Sequence, residues 1–200
     1  MFFNFVVNII HVLVIILNGR VKVYGKENLP TDDTYILIAP HRSWIDPVFI
    51  AIASKPRQFV TMAKKDLFDI PFLGWLIKKL DAFPVNREKP GPSVIKIPTK
   101  ALKETNKSVL IFPSGTRHSQ ELKGGAVAIA KFSKKPIVTA TYVGPYTFKD
   151  LLKRKQSYVI FGEPFTVERK LDGVDDINEY YTEKIQEKFD TLESSLVTKK

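Results

Sequence analysis

Cysteine is absent from this 200-residue chain, and its absence excludes several kinds of chemistry. Without a thiol the chain can form no disulfide, no thiolate metal site and no acyl-cysteine intermediate. Histidine is scarce as well, since only His11, His41 and His118 occur, and His11 falls inside an apolar run. These are too few ligands for a histidine-rich zinc site, so we expect a protein that uses no metal.

Internal repeats, low-complexity tracts and linkers are also absent, and the length suits one domain. What the chain has in excess is positive charge: 31 Lys and Arg against 21 Asp and Glu give a net charge of +10. Such a charge favours anionic partners, namely nucleic acid, anionic lipid, a phosphorylated substrate or an acidic carrier protein. Nucleic acid is disfavoured because the aromatic residues fall in apolar runs rather than among the basic ones.

The N-terminal segment is the most apolar part of the chain. Residues 2–17 carry no charge, and a helix of this length measures about 24 Å, less than the roughly 30 Å of a bilayer's hydrocarbon core. Asn4, Asn8 and His11 recur on one helical face. We predict that residues 1–19 form a membrane-anchoring helix, inserted into one leaflet or lying at the interface. The alternative is a core helix of a soluble domain.

The rest of the chain alternates between strand-like and helix-like segments. Runs rich in β-branched and aromatic residues predict strands at 21–24, 35–39, 58–62, 82–85, 108–112, 136–143 and 157–161. Helical patterns lie between them at 46–55, 66–80, 93–106 and 124–134, and an amphipathic helix begins at Ile177. Residues 20–200 are therefore expected to form a single layered α/β domain, with a mixed, largely parallel central sheet flanked by helices.

The stretch "IAPHRSWIDP", residues 38–47, places His41 five residues before Asp46 at the end of a predicted strand. A carboxylate that holds one imidazole nitrogen leaves the other free to accept a proton. No G-x-S-x-G elbow supplies a protein nucleophile, so the nucleophile is expected to be a hydroxyl of the substrate. The alternative is a capping Asp46, followed by Pro47, with an unrelated histidine.

Basic residues follow three other predicted strands. In "IFPSGTRHS", residues 111–119, the run from Ser114 to Arg117 offers backbone amides, a hydroxyl and a guanidinium, which suit a phosphate. Lys64 and Arg87 follow the strands at 58–62 and 82–85. Strand ends of this kind bind ligands in open α/β sheets. Each of these residues can also be an ordinary solvated surface residue.

Taken together and in this order, the motifs resemble those of the glycerolipid (lysophospholipid) acyltransferase family. They read His-x-x-x-x-Asp, Ala-Lys-Lys, Phe-Pro-Val-x-Arg, Phe-Pro-x-Gly-Thr-Arg and Lys-Pro-Ile-Val, and the resemblance covers about residues 20–165. Within the family the chain is most similar to bacterial 1-acyl-glycerol-3-phosphate acyltransferases. Three positions depart from the family pattern: Ser114 replaces a Glu, His118 replaces a Ser, and Asp81 stands where the family often has a Gly.

The resemblance implies a reaction and a role for each matching residue. A fatty acyl group would pass from acyl-CoA or acyl carrier protein to the sn-2 hydroxyl of 1-acyl-glycerol-3-phosphate, giving phosphatidic acid for phospholipid synthesis at the cytoplasmic face of the cell membrane. His41 would be the catalytic base and Asp46 its partner. The residues that would bind the acceptor's phosphate are Arg87, Gly115, Thr116 and Arg117. Lys64 is a candidate oxyanion donor.

Two alternatives remain open from the sequence. The same groups would serve an acyltransferase for another lysolipid, and the charge alone would suit a non-catalytic module that binds anionic lipid. The proposed reaction requires no cofactor beyond the acyl donor. The groove for the acyl chain has no clear signature, and "DIPFLGWLIKKL", residues 69–80, is a candidate for it.

Overall fold

A seven-stranded sheet forms the centre of the computed structural model, which describes residues 2–113 and 124–197. Its strands are β1 (Lys22–Tyr24), β2 (Ile36–Ile38), β3 (Phe59–Lys64), β4 (Ala82–Val85), β5 (Ser108–Ile111), β6 (Ile137–Val143) and β7 (Tyr158–Phe161). Their order is β1-β7-β6-β2-β5-β3-β4. Every pair is parallel except β6 with β7. The predicted α/β fold with a mixed, largely parallel sheet is confirmed.

Seven α-helices accompany the sheet in the described part of the chain. They are α1 (Phe2–Asn18), α2 (Asp46–Ala53), α3 (Pro71–Lys79), α4 (Ser93–Glu104), α5 (Gly125–Ser133), α6 (Phe148–Leu152) and α7 (Ile177–Val197). The single helix predicted at 66–80 is divided into a 3-10 turn, Lys65–Phe68, and α3. Pro71 causes the division, because it lacks an amide hydrogen and holds the preceding Ile70 in an extended conformation.

The sheet is buried on both faces, as the alternation of side chains within β2 shows. Leu37 packs into a core cluster with α1, α2 and α6. Ile36 and Ile38 point the other way, into a cluster with α4, α5 and α7. Because β2 lies between β6 and β5, it is an inner strand of the sheet, and its side chains enter the core on both faces. A side chain that follows β2 therefore starts from the interior of the sheet.

Helix α1 has one buried face and one exposed apolar face. One face packs against the domain, where Val7 and Val14 join the first core cluster and Asn18 Nδ2 lies 3.3 Å from Ser157 Oγ. The opposite face exposes large apolar side chains, namely Phe5, Ile9, Val12, Leu13 and Ile16. Among the described residues, no helix combines the length and the apolar character needed to cross a membrane.

The polar residues of α1 bind the domain. Lys55, which follows α2, places its Nζ 2.9 Å from Asn8 Oδ1 and 2.7 Å from His11 Nδ1. The pKa of His11 is lowered, first by burial and then by the charge of Lys55. The neutral imidazole can therefore accept a hydrogen bond from the lysine, and this contact holds α1 in place.

Candidate active site

The candidate site lies at the carboxyl end of β2. Strands β2, β5, β3 and β4 are neighbours and parallel, so their carboxyl ends meet at one edge of the sheet. His41 lies in the loop that joins β2 to α2, residues 39–45, which we call the His41 loop. This is the edge at which open α/β sheets bind their ligands.

The structure brings His41 and Asp46 together across this loop. His41 Nδ1 lies 3.3 Å from Asp46 Oδ2, and the Asp46 side chain is almost completely buried. The same oxygen accepts hydrogen bonds from the backbone amides of Arg42, at 2.5 Å, and Ser43, at 2.7 Å. Asp46 is the first residue of α2, and within that helix no backbone amide donates to its side chain. The carboxylate thus organises the turn before the helix rather than capping the helix.

This geometry determines which nitrogen of the imidazole is available for chemistry. Because Asp46 is a hydrogen-bond acceptor, it favours the tautomer with the proton on His41 Nδ1. The lone pair then resides on Nε2. The ring of Phe112, the first residue after β5, packs against the imidazole with its centroid 4.4 Å away. The imidazole is held on one side by a carboxylate and on another by an aromatic ring, which limits its rotation.

The His41 loop is tied to distant parts of the chain by its next two residues. Ser43 is buried, and its hydroxyl donates to the carbonyl oxygen of Tyr146 at 2.6 Å. Arg42 donates to Glu193 Oε2 at 2.6 Å and to the hydroxyl of Tyr146 at 3.4 Å. Burial lowers the pKa of Arg42, but the bonds to Glu193 and Tyr146 outweigh burial and raise it overall. The Ser43 hydroxyl is therefore engaged in a structural hydrogen bond.

A buried tyrosine lies beneath the site. Tyr142 stacks on Phe49 with ring centroids 4.7 Å apart, and its hydroxyl donates to the carbonyl oxygen of Pro145 at 2.8 Å. Burial, and next the negative charge of Asp46, raise the pKa of Tyr142 far above its ordinary value. Tyr142 therefore stays protonated, and its hydroxyl is engaged as a donor to Pro145.

The other predicted site residues are distributed along the same edge of the sheet. Lys64 ends β3, and its half-exposed Nζ lies 2.5 Å from Asp66 Oδ2. Arg87 is exposed and follows β4, which is three strand positions from β2, or about 14 Å by ordinary strand spacing. Gly115, Thr116 and Arg117 lie outside the described residues. His41 and Asp46 are in contact, whereas Lys64 and Arg87 share only the edge with them.

An apolar cavity of about 230 Å³ opens beside the site. Its walls come from α1, α2 and α3, with contributions from β3 to β5, and they include Phe3, Val48 and Ile77. Pro47, the residue after Asp46, is also part of the lining. In the candidate segment at 69–80, Ile77 and Leu80 line the cavity, whereas Phe72 and Trp75 are exposed.

Three residues of the site escaped the sequence analysis: Arg42, Tyr146 and Glu193. Tyr146 and Glu193 are 104 and 151 residues from Arg42 along the chain, so no local pattern connects them. Arg42 stood inside the quoted motif, but its partner was not predictable. In residues 2–113 and 124–197 no three His, Asp or Glu side chains converge on a point that could hold a metal ion.

Comparison with known proteins identifies relatives along most of the chain. The family model described as "Acyltransferase" matches residues 20–143. A 1-acyl-sn-glycerol-3-phosphate acyltransferase from Streptococcus pneumoniae is 41% identical over 194 residues, which cover 96% of this chain and 74% of that protein. The protein of the same name from Bacillus subtilis is 47% identical over 154 residues, covering 76% of this chain and 77% of the relative.

A solved structure shares the fold. The crystal structure of a 1-acyl-sn-glycerophosphate acyltransferase from Thermotoga maritima is similar with a TM-score of 0.66. The alignment covers 95% of this chain and 81% of that one, at 20% sequence identity. At this identity the likeness bears on the fold alone.

Proposed function

This chain belongs to the acyltransferase family, and on that premise we propose that it makes phosphatidic acid. The acyl group of acyl-CoA or acyl carrier protein passes to the sn-2 hydroxyl of 1-acyl-glycerol-3-phosphate. The observation that carries the proposal is the pair of His41 and Asp46, 3.3 Å apart, at the carboxyl end of a central parallel strand.

The proposed reaction is a direct transfer. His41 Nε2 removes the proton of the sn-2 hydroxyl as its oxygen attacks the thioester carbonyl, and Asp46 stabilises the imidazolium that forms. The tetrahedral intermediate then collapses, the carbon–sulfur bond breaks, and the leaving thiolate takes the proton from His41. Backbone amides and Lys64 are the candidate donors to the oxyanion. The thioester itself supplies the activated acyl group, so the scheme needs no further cofactor.

The cavity beside the site supports a lipid substrate. Its walls are almost entirely apolar, and they begin at Pro47, directly after Asp46. A fatty acyl chain that enters the cavity leaves its carbonyl near His41. Burial of methylene groups in such a cavity is favourable by about 0.8 kcal/mol for each group. We therefore assign the cavity to an acyl chain.

Membrane association is part of the proposal, and the exposed face of α1 supports it. Five large apolar side chains on one helical face form a surface of the kind that rests in the interface of a bilayer, with the helix axis along the surface. Val7 and Val14 on the opposite face fix the helix to the domain. The acyl donors are cytoplasmic molecules, which assigns the enzyme to the cytoplasmic face of the cell membrane.

The test is the release of thiol from an acyl thioester, followed with and without 1-acyl-glycerol-3-phosphate. We expect acceptor-dependent release by the wild-type protein, and a loss of about 10²- to 10⁴-fold in His41→Ala, the usual effect of removing a general base. Because His41 belongs to neither core cluster, the variant should still fold, and its melting temperature is measured alongside. Near-normal turnover by the folded variant would refute the mechanism.

Two further arms separate the alternatives. Competing lysolipids in the same assay distinguish 1-acyl-glycerol-3-phosphate from another acceptor. Binding to anionic vesicles without any thiol release, with acceptor present, would identify a non-catalytic lipid-binding module instead.

A further inference from the structure

A short helix beside the His41 loop exposes apolar side chains that the fold does not cover. Helix α6 is anchored by Leu151, which is buried in the first core cluster. Phe148 and Leu152, four residues apart and therefore on one helical face, are 55% and 53% exposed. Large apolar side chains paired on a surface in this way mark a contact site.

Basic residues surround this apolar pair. Residues 148–155 contain four bases and one acid, and the acid, Asp150, is paired with Lys155 at 2.6 Å. Lys149, Lys153 and Arg154 are exposed, and none of them forms an ion pair with a described residue. We call Phe148, Lys149, Leu152, Lys153 and Arg154 the α6 patch.

Helix α6 is a direct neighbour of α1, the other helix that exposes large apolar side chains. Gln156 Nε2 donates to the carbonyl oxygen of Arg20 at 3.1 Å, which joins the turn after α6 to the end of α1. Arg20 and Lys22 are both exposed there. The two helices are also in direct contact. The α6 patch thus belongs to a helix that packs directly against α1, and exposed basic side chains follow both helices.

We propose that the α6 patch binds the surface of a bilayer that contains anionic phospholipids. Phe148 and Leu152 enter the interface between headgroups and acyl chains, and Lys149, Lys153 and Arg154 contact the anionic headgroups. The combination of apolar and basic groups matches this partner, because an anionic membrane offers both an apolar interior and a negative surface. An acidic carrier protein would pair with the basic side chains, but it would not account for the exposed apolar side chains of the neighbouring helix α1.

The position of the α6 patch gives it a consequence for the reaction. Tyr146, two residues before α6, accepts hydrogen bonds from Ser43 through its carbonyl oxygen and from Arg42 through its hydroxyl. Docking of α6 therefore places the His41 loop at the bilayer surface, where a lysolipid acceptor resides. The inference rests on the proposed function for this consequence, although not for the binding itself.

The experiment is co-sedimentation of the full chain with vesicles of phosphatidylcholine, alone or mixed with phosphatidylglycerol. Lys149→Glu/Lys153→Glu should bind the mixed vesicles at least tenfold more weakly than wild type, since each base near an anionic surface contributes about fivefold. Its binding to phosphatidylcholine alone should change little. Phe148→Ser/Leu152→Ser should bind both kinds of vesicle more weakly. The matched control is Lys96→Glu/Lys103→Glu, which makes the same charge change on exposed positions of α4, across the sheet.

The outcomes are distinct. If the α4 control lost as much vesicle binding as the α6 charge variant, net charge alone would explain the binding. That result would overturn the proposal. It would also be overturned if the α6 charge variant bound vesicles normally but lost activity only with acyl carrier protein as the donor, which would identify a carrier surface. Thiol release in neutral detergent micelles separates this inference from the proposed reaction. The α6 variants should release thiol in micelles as the wild type does. If the wild type released none, the proposed reaction would be refuted, and the vesicle experiment would still decide lipid binding.

Discussion

The guanidinium of Arg42 lies 2.6 Å from the carboxylate of Glu193, although 151 residues separate them in the chain. Arg42 directly follows His41, and Glu193 lies near the end of α7, a helix on the far end of the sequence. The ion pair therefore connects the last helix to the loop that carries the candidate base. Its side chains are 33% and 42% exposed, so its contribution to overall stability is small.

Glu193→Gln should lower kcat while changing the free energy of unfolding only slightly. We expect the free energy of unfolding to fall by less than about 1 kcal/mol, as for other partly exposed ion pairs. The kcat should fall by up to about fivefold, because the loop samples more conformations when Arg42 is released. Glu187→Gln, an exposed change on the same helix, is the control. A wild-type kcat in Glu193→Gln would show that the pair does not position the loop.

Asp46→Asn should impair both the turn and the reaction. Two backbone amides and His41 Nδ1 all contact one oxygen of the carboxylate, and an amide oxygen can accept the same three contacts only without the negative charge, and therefore more weakly. We expect a loss of about 1 to 3 kcal/mol in the free energy of unfolding, from weakened bonds to a buried charged group. The kcat should also fall, with little change in the acceptor's KM.

Urea unfolding and steady-state kinetics on the same preparation check this prediction. A loss of stability with normal kcat would mean that Asp46 serves only the turn. A loss of kcat with normal stability would instead mean that the bonds to Arg42 and Ser43 contribute nothing measurable.

The order of strands and helices was predictable because the residue types within each segment indicate its secondary structure. All seven described strands fall within two residues of the runs rich in β-branched and aromatic residues. Helix α6 was missed because a five-residue helix has too few positions to establish a period. The five-residue spacing of His41 and Asp46 also fitted a capping Asp46, and only the resemblance of the motifs favoured the pair. Glu193 was not predictable, since long-range partners depend on the packing of α7. The same limit hid the cavity, whose lining is drawn from six elements.

The two faces of α1 should respond differently to substitution. Phe5→Ser/Ile16→Ser changes exposed residues, so we expect weaker binding to vesicles with an unchanged melting temperature. Val14→Ala removes buried methyl groups and should cost about 1 to 2 kcal/mol of unfolding free energy without a comparable loss of vesicle binding. Deleting residues 1–18 removes both faces, and because Val7 and Val14 belong to the core, we expect the truncated protein to aggregate. Unchanged vesicle binding by Phe5→Ser/Ile16→Ser would refute the membrane role of α1.

The contact between His11 and Lys55 should give the protein a stability that depends on pH. The folded pKa of His11 lies below the ordinary 6.5, mainly through burial and then through Lys55. As the pH falls from 6.5 toward the folded pKa, the unfolded chain takes up a proton before the folded protein does. The free energy of unfolding therefore decreases, and this decrease is complete below the folded pKa. His11→Gln keeps an acceptor for Lys55 but cannot titrate. Unfolding in urea at about pH 7.5 and about pH 5 should show a smaller decrease in this variant than in wild type. An equal decrease in both proteins would assign the effect to other groups.

The strand order ranks the two arginines proposed to hold the acceptor's phosphate. In the sequence Arg117 comes six residues after Ile111, the last residue of β5, and β5 pairs directly with β2; Arg87 follows β4, which is three positions from β2. A phosphate attached to the same glycerol as the reacting hydroxyl must lie close to His41, so Arg117 should make the stronger contact.

Lysine cannot reproduce the bidentate pairing of a guanidinium with phosphate. Arg117→Lys should therefore raise the acceptor's KM by about tenfold or more, and Arg87→Lys by less, with the donor's KM unchanged in both. Steady-state kinetics at matched salt test the ranking, because both variants keep the net charge. If Arg117→Lys impairs the donor and spares the acceptor, the loop after β5 faces the carrier end of the thioester, and the two substrates bind in the opposite orientation.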